Sequence, residues 1–425
     1  MSPTTRVESV TCLGCGCGCD DLAVEIAGDR VASVSPPCPL GRAWFGDGGV
    51  PWAVRRSGAD STLEAAVADA AEVLATASGR VLLVLAPDVS AQAQGAALAL
   101  ADLLQATVET ATSDPAAAGL LAAQRRGRAA ATLGEVRNRA DAVLFWAVDP
   151  GPRYPRFWSR YAPDPAGTHV PDGRAGRTVI AVTVGQDRGP AGADLELALR
   201  PDQEVPALSV MRAVAVGNQL GELPAPLQRA AEIAGRLVQA RYSAIVHEAE
   251  PGAEPARDPY RAEGLLGLAQ ALNGPSRAAL SSLRAGGNRS GAEAALTWLT
   301  GYPMAVTYRS GAPEYRPASR GVAAAAGEAA AILVVGAAAA LSDVFWSAAG
   351  RNPVVVIGPR ASETASPARV AVDTGVAGIH EGGTAYRMDD VPLRLRPPLA
   401  AVRTAVDVLA SLLAAIRARG VARAP

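Results

Sequence analysis

The sequence contains no lysine: all 40 of its basic residues are arginine. That absence excludes chemistry needing a primary-amine side chain, a Schiff base or a lysine general base among them. Histidine is almost as scarce, with three in 425 residues, His169, His247 and His380. No HxH or HExxH pattern occurs, which argues against a mononuclear zinc hydrolase site within the chain. The net charge of −1 gives no general attraction to nucleic acid or to an acidic membrane surface. Long hydrophobic runs are missing as well. The longest, 81–87 and 330–341, are too short or too rich in alanine to span a bilayer. The opening MSPTTRVESV lacks the basic-then-apolar pattern of a secretion signal. The expectation is a cytoplasmic protein with neither a membrane nor a nucleic acid as partner. Thiols stay reduced in that compartment, so its few cysteines point to metal rather than to disulfides.

What is present is enough chain for two or three domains, 49% of it hydrophobic. Residues 24–34 alternate in polarity around Gly28-Asp29, the pattern of a β-hairpin. From about residue 60 the pattern changes to helices alternating with buried strands. TLEAAVADAAEVLATAS is an amphipathic helix with Ser61 or Thr62 as cap, VLLVLAP a strand and SAQAQGAALALADLLQA a second helix. ATLGEV, AVLFWAVDP, TVIAVTV, SAIVHEA, ILVVGA and PVVVIGP continue the apolar runs, and the chain ends in a helix over 404–419. Buried strands separated by helices imply parallel sheets of the α/β class. Linkers are expected at 159–176 and 250–258, where proline, glycine and charge gather.

Four of the five cysteines fall in TCLGCGCGCDDL, residues 11–22. Cys12-x2-Cys15-x3-Cys19, with Cys38 brought back by the hairpin, suits a four-thiolate site for zinc or an iron–sulfur cluster, and the flanking glycines let backbone wrap a metal closely. Cys17 lies between the ligands and is expected to point away. The uneven x2, x3 spacing favours [4Fe–4S]. The opposing reading is that the cysteines are loop residues whose metal has been lost.

This arrangement resembles the molybdopterin and tungstopterin oxidoreductases, and more closely the B subunit of formylmethanofuran dehydrogenase. The similar stretches are TCLGCGCGCDDL, CPLGRAWFGDG, 132–160 (TLGEVRNRADAVLFWAVDPGPRYPRFWSR), 284–306 (RAGGNRSGAEAALTWLTGYPMAV) and 377–396 (AGIHEGGTAYRMDDVPLRLR), in the family's order. The resemblance implies a small N-terminal cysteine domain (1–55) and two doubly wound α/β domains, one from 56–130 with 240–425 and one inserted at 131–239.

Redox members of that family hold the metal of their pterin through a cysteine or selenocysteine. Here its place falls near Asp114 or Pro115, which read as a turn. The basic residue usual two positions after the fourth cluster cysteine is Leu40, and TVIAVTV runs into GQDRGPAGAD instead of an Asp-Pro-Arg-like turn. Molybdopterin or tungstopterin is therefore expected to be absent. The combination resembles the B subunit of the bacterial formyltransferase/hydrolase complex, related but non-redox, in tetrahydromethanopterin-dependent one-carbon metabolism. The resemblance implies a scaffold without catalytic residues, assembled with hydrolase-like A, C and formyltransferase-like D subunits and a methanofuran-like carrier. The alternative is a redox-active molybdenum or tungsten subunit with a [4Fe–4S] cluster.

Three further features carry lesser readings. GGNRSG (286–291) could cradle a phosphate but reads better as a loop opening a helix capped by Ser290. The three histidines read as satisfied structural residues. Tyr154, Arg156, Phe157, Trp158, Arg160 and Tyr161 form an aromatic–arginine cluster of the kind enriched in subunit interfaces, in a chain only 4% aromatic.

Overall fold

The computed structural model describes residues 4–249, 260–317, 321–364 and 368–421, less the side chains of 113–116 and 364. The expected linker at 250–258 lies outside the described residues. The chain divides into two compact units, one of 1–14, 18–114 and 286–425, the other of 15–17 and 115–285.

The first unit is built on a nine-stranded sheet. Its parallel centre runs in the order Thr107–Thr110, Val81–Leu85, Ala331–Val335, Val354–Gly358, Val370–Asp373. Antiparallel additions at the edges are Val306–Thr307 and Glu314–Tyr315 on one side, and Val54–Arg56 and Ala59–Asp60 on the other. The strand period of two decides which side chain enters which core. Leu83, Leu85, Leu333, Val335, Val355 and Ile357 face the helices Leu63–Thr76, Ala91–Leu103 and Ala405–Ala418. Leu82, Val84, Ile332, Val334, Val354 and Val356 face Val322–Glu328 and Asp343–Ala349. Burial on both faces is why these strands read as unbroken apolar runs. The helix starts follow the capping rule: Thr62 Oγ accepts from the Ala65 amide (3.2 Å) and Ser90 Oγ from Ala93 (3.2 Å).

The N-terminal hairpin forms as its Gly28-Asp29 turn implied. Leu22–Ala27 pairs antiparallel with Arg30–Ser35, and Thr4–Val10 adds a third strand. Gly28 sits at φ +65°, a conformation that favours glycine. The stretch 377–396 folds as the hairpin Gly383–Tyr386 and Pro392–Leu395, with Asp390 at φ +63° in its turn.

The second unit holds five parallel strands in the order Leu195–Leu199, Thr178–Val184, Ala142–Trp146, Ser243–Glu248, Ala278–Leu283. Their core packs against Glu204–Ala215, Ala225–Gln239 and Tyr260–Leu272. This differs from the sequence expectation in two ways. Ser243–Glu248 pairs with Ala142–Trp146 and with Ala278–Leu283, so these strands belong with this sheet and not with the first unit. The N-terminal 1–14 and 18–55 cluster with the first unit rather than as a separate domain. ATLGEV is not a strand either. Thr132 Oγ accepts from the Glu135 amide (3.0 Å) and opens the helix Leu133–Arg139, which buries Leu133 and Val136 three apart.

A buried arginine ties this unit's loop to that helix. Arg177 donates to the carbonyls of Ala140 (3.0 Å), Pro163 (2.6 Å), Pro165 (2.7 Å) and Arg137 (2.6 Å). Two of those carbonyls lie at the C-terminal end of Leu133–Arg139, where a cation is favoured. Arg177→Met should strand buried carbonyls and lower stability by about 3 kcal/mol. A thermal melt of the purified chain checks this, with a loss under about 1 kcal/mol contradicting the role.

Candidate functional site

Cys12, Cys19 and Cys38 belong to the first unit, Cys15 and Cys17 to the second, and all five are free thiols. In the first unit the Cys12 amide donates to the Cys19 carbonyl (2.8 Å), closing the loop, and the Gly14 amide donates to Cys12 Sγ (3.3 Å). Cys38 caps the short helix Pro39–Phe45, its carbonyl accepting from Arg42 (2.9 Å). Gly41 on that helix has Cys38 Cβ 3.6 Å and Cys12 Sγ 3.7 Å from where a side chain would begin. A side chain at Gly14 would strike the Leu40 carbonyl at 2.7 Å. The Trp44 indole N–H on the same helix is buried without a partner.

In the second unit Cys15 is paired with Ala285 by an isolated bridge. A hydrogen bond with the Cys17 thiol lowers the Cys15 pKa, helped by the charge of Arg156. Cys17 is thus engaged, and its carbonyl accepts from Tyr161 Oη (2.9 Å). The amide on Cys12 Sγ and the space at Gly41 suit a thiolate ligand. However, among the described residues no group of three or more His, Cys, Asp or Glu side chains is arranged to hold a metal ion. As placed, the thiols do not make a ready-formed ligand set.

Doubly wound sheets receive ligands outside the carboxyl ends of their strands, where the strand order reverses. In the first unit that point lies between Val81–Leu85 and Ala331–Val335. The chain's own groups occupy it. Asp88 accepts from the Ala337 amide with both oxygens (2.8 and 3.0 Å), and burial pushes its pKa up to about 6. Beside it, Asn288 is fully buried. Its Nδ2 donates to the Val89 carbonyl (3.1 Å) and to Gln94 Oε1 (3.2 Å), and its Oδ1 accepts from the Tyr386 amide (2.7 Å). GGNRSG is therefore a structural junction. The helix it opens, Arg289–Thr300, has Asn288 as N-cap, and Ser290 lies inside its first turn. Gly287, at φ +90°, passes so close to Pro87 that a Cβ would meet its carbonyl at 2.5 Å.

In the second unit the reversal lies between Ala142–Trp146 and Ser243–Glu248. Glu248, at the end of its strand, accepts from Tyr154 Oη (2.9 Å) and from Arg153 (2.8 Å). At the ends of the neighbouring strands, Arg261 donates to Glu204 (2.5 Å) and Asp187 (3.3 Å), and the Trp146 indole donates to Glu204 (2.8 Å). These groups are buried, with side-chain exposures of 12% for Arg261, 1% for Glu204 and 6% for Asp187. The turn after TVIAVTV is closed by reciprocal Val184–Asp187 backbone bonds, which present Asp187 to Arg261.

His247 and His380 are satisfied, as expected. His380 donates from Nε2 to the Gly48 carbonyl (2.8 Å) and accepts the Val376 amide at Nδ1 (3.3 Å). His247 is placed between the Glu248 carbonyl (3.1 Å) and Ser282 Oγ (2.9 Å), and burial lowers its pKa to about 4. His169 is exposed. Tyr154, Phe157 and Tyr161 are buried, and Phe145 stacks on Trp158 at 5.4 Å, so core packing accounts for these aromatics. Leu40 lies in the first turn of Pro39–Phe45. Asp114 and Pro115, expected in a turn, fall in the first turn of the helix Ser113–Arg126, and their side chains lie outside the described residues. Sequence reasoning missed Asp88, Glu204, Arg261 and Asp187. The only available signal was acidic residues just beyond apolar strands.

No family model matches the sequence. The chain is 29% identical over 411 residues to the B subunit of the tungsten-containing formylmethanofuran dehydrogenase 2 of Methanocaldococcus jannaschii, covering 92% of this chain and 93% of that protein. It is 27% identical over 412 residues, with the same coverage, to the protein of that name from Methanococcus maripaludis. Among solved structures it matches a chain in the crystal structure of the formyltransferase/hydrolase complex from Methylorubrum extorquens in complex with methylofuran. The TM-score is 0.71 at 26% identity, over 87% of this chain and 100% of that one. Fold and coverage define an α/β protein with parallel sheets, similar along most of its length to components of formyl-group enzymes. In particular, the chain is similar over about nine-tenths of its length to B subunits of tungsten-containing formylmethanofuran dehydrogenases.

The buried His247 gives the fold a definite pH response. Its pKa of about 4 lies below the unfolded value of 6.5. The stability it contributes is whole above pH 6.5 and is lost as pH falls through 6.5 toward 4. From pH 7 to 4.5 this should cost about 2 kcal/mol. His247→Gln should flatten that slope in melts recorded across the range, and an unchanged slope would show that the ring does not report its burial this way.

Proposed function

We propose that the chain is a non-redox B subunit of a formyltransferase/hydrolase-type complex, acting as a scaffold for catalytic partner subunits. The observation that carries this reading is the Trp146–Glu204–Arg261–Asp187 network. It fills the carboxyl end of the second sheet with mutually satisfied buried charges, where a bound cofactor would need open space and unpaired donors. The Asp88–Ala337 contact supports the same reading in the first unit. The molybdopterin-oxidoreductase-like layout fits a frame kept after loss of its cofactor site. The likeness to the complex from Methylorubrum extorquens supports a hetero-oligomer, with hydrolase-like A, C and formyltransferase-like D subunits as the partners. Formyl transfer from tetrahydromethanopterin to a methanofuran-like carrier, and hydrolysis to formate, would then take place on those partners in the cytoplasm. No helix among the described residues is long and apolar enough to cross a membrane.

Cys12, Cys15, Cys19 and Cys38 are proposed as ligands of a structural [4Fe–4S] cluster or zinc ion, with molybdopterin and tungstopterin absent. No catalytic step is assigned to such a group.

The test is co-expression of this chain with the A, C and D-like subunits. Omitting the chain should abolish assembly of the complex. A partner set that assembles without it would overturn the scaffold role. Anaerobic metal analysis of the purified chain should find neither molybdenum nor tungsten. About four irons per chain together with tungsten would favour the redox alternative, which the names of the tungsten-containing relatives support.

A further inference from the structure

We propose that the last turn of Arg289–Thr300 and the outer face of the 383–395 hairpin form one docking surface. Its occupant is another protein subunit presenting an aliphatic pocket beside a carboxylate. The proposal rests on the reading of the chain as a subunit of a hetero-oligomer.

Trp298 is 66% exposed and its neighbour Leu299 56%. Both belong to a helix whose earlier turns bury Ala292, Ala295 and Leu296 in the core. Gly301, at φ +84°, caps the helix just beyond Thr300, so this apolar pair lies in its last turn instead of continuing its buried stripe. The Trp298 ring meets Tyr386 edge-on at 5.6 Å. The hairpin register sets what lies beside Tyr386. Ala385, Leu393 and Leu395 turn into the body and are buried, and Tyr386 opposes Pro392 while Thr384 opposes Arg394. Tyr386, Pro392 and Arg394 therefore share the outer face, with Tyr386 and Arg394 on a cross-strand diagonal of about 7–8 Å. Arg394 is exposed and forms no ion pair among the described residues, whereas Arg387 in the same hairpin is held by Asp389 (2.6 Å).

Tryptophan, tyrosine and arginine are the residues that dominate binding energy at protein interfaces, and here they adjoin in a chain with only six tryptophans. A second helix face or a lipid surface would suit the apolar pair. The unpaired guanidinium selects a protein surface that carries its own carboxylate, since an interface cation buried without one is costly.

The test uses the complex assembled from the full chain and its co-expressed partner subunits. Trp298 should lose its hydroxyl-radical oxidation on assembly, at least fivefold relative to the isolated chain, a readout that needs no variant. Trp298→Ala and Arg394→Glu should each weaken binding to the partners at least tenfold, and Arg394→Glu should also slow association at low salt. Melting temperatures of the isolated variants should stay within about 2 °C of the parent. Val344→Asp, at an exposed apolar residue elsewhere, should change nothing. If the parent chain assembles while Trp298 stays fully oxidisable and both variants assemble normally, the docking surface is wrong and the subunit reading stands. If the parent chain does not assemble at all, the subunit reading fails and this proposal with it. Protection of Trp298 in the isolated chain at high concentration would assign the surface to a second copy, and would equally overturn the proposal.

Discussion

The pairing of Val81–Leu85 with Ala331–Val335 is the constraint on which the first unit depends. These strands are far apart in sequence, yet they lie side by side in strict parallel register, Leu83 opposite Leu333 and Val84 opposite Val334. Closing a loop of that length is slowly varying in entropy, so its cost is little more than that of a loop half as long. What secures the pair is that every residue of both strands is buried, alternately into the two cores on either side of the sheet. A slip by one residue would exchange the two cores' side chains wholesale. The same pairing sets Asp88 against the Ala337 amide, because both residues lie in the short loops just beyond the two strands.

Each sheet thereby leaves a place at its carboxyl edge where the connections part in opposite directions, and in each the chain has filled it. The fillings differ in kind. In the first unit a single carboxylate bridges two loops, and Asn288 spends its amide on Val89, Gln94 and Tyr386. In the second, Arg261 neutralises Glu204 and Asp187 beneath Trp146, and Tyr154 with Arg153 holds Glu248. Buried charges of this sort contribute little net stability against apolar packing but are costly to break singly. They are better understood as fixing loop positions than as holding the sheets together.

Much of this fold was legible in local patterns. The continuous apolar runs at 81–85, 331–335 and 354–358, the glycine turn at Gly28, and the caps at Thr62 and Ser90 depend on neighbours in sequence, and each took the form its pattern implied. The domain boundary at 239–240 did not hold, because periodicity shows that 243–248 is a strand and is silent on which sheet accepts it. Arg177 and Arg261 escaped notice for a related reason. Their partners are reached only across the fold, through carbonyls and carboxylates that carry no sequence signature. The aromatic cluster at 154–161 was visible, but composition alone could not separate a core patch from an interface. Burial assigns Tyr154, Phe157 and Tyr161 to the core, while a two-residue apolar step at Trp298 and Leu299 was too short to register as a pattern.

The cysteine loop shows how a motif can be kept for more than one reason. In the first unit much of its conformation is supported by backbone: the Cys12 amide reaches the Cys19 carbonyl, and the Gly287 amide reaches the Leu13 carbonyl. Gly14 is required because any side chain there meets the Leu40 carbonyl, and Gly18, at φ +49°, because a Cβ would press on Leu393 at 2.8 Å. None of these constraints involves a thiol. Gly14 and Gly18 of TCLGCGCGCDDL are therefore explained by close packing against Pro39–Phe45 and the 383–395 hairpin, whether or not the sulfurs bind anything. A loop so restrained has its thiol positions set by the fold in advance. Metal binding there would report on sulfur geometry, and its loss would leave the loop's shape largely intact.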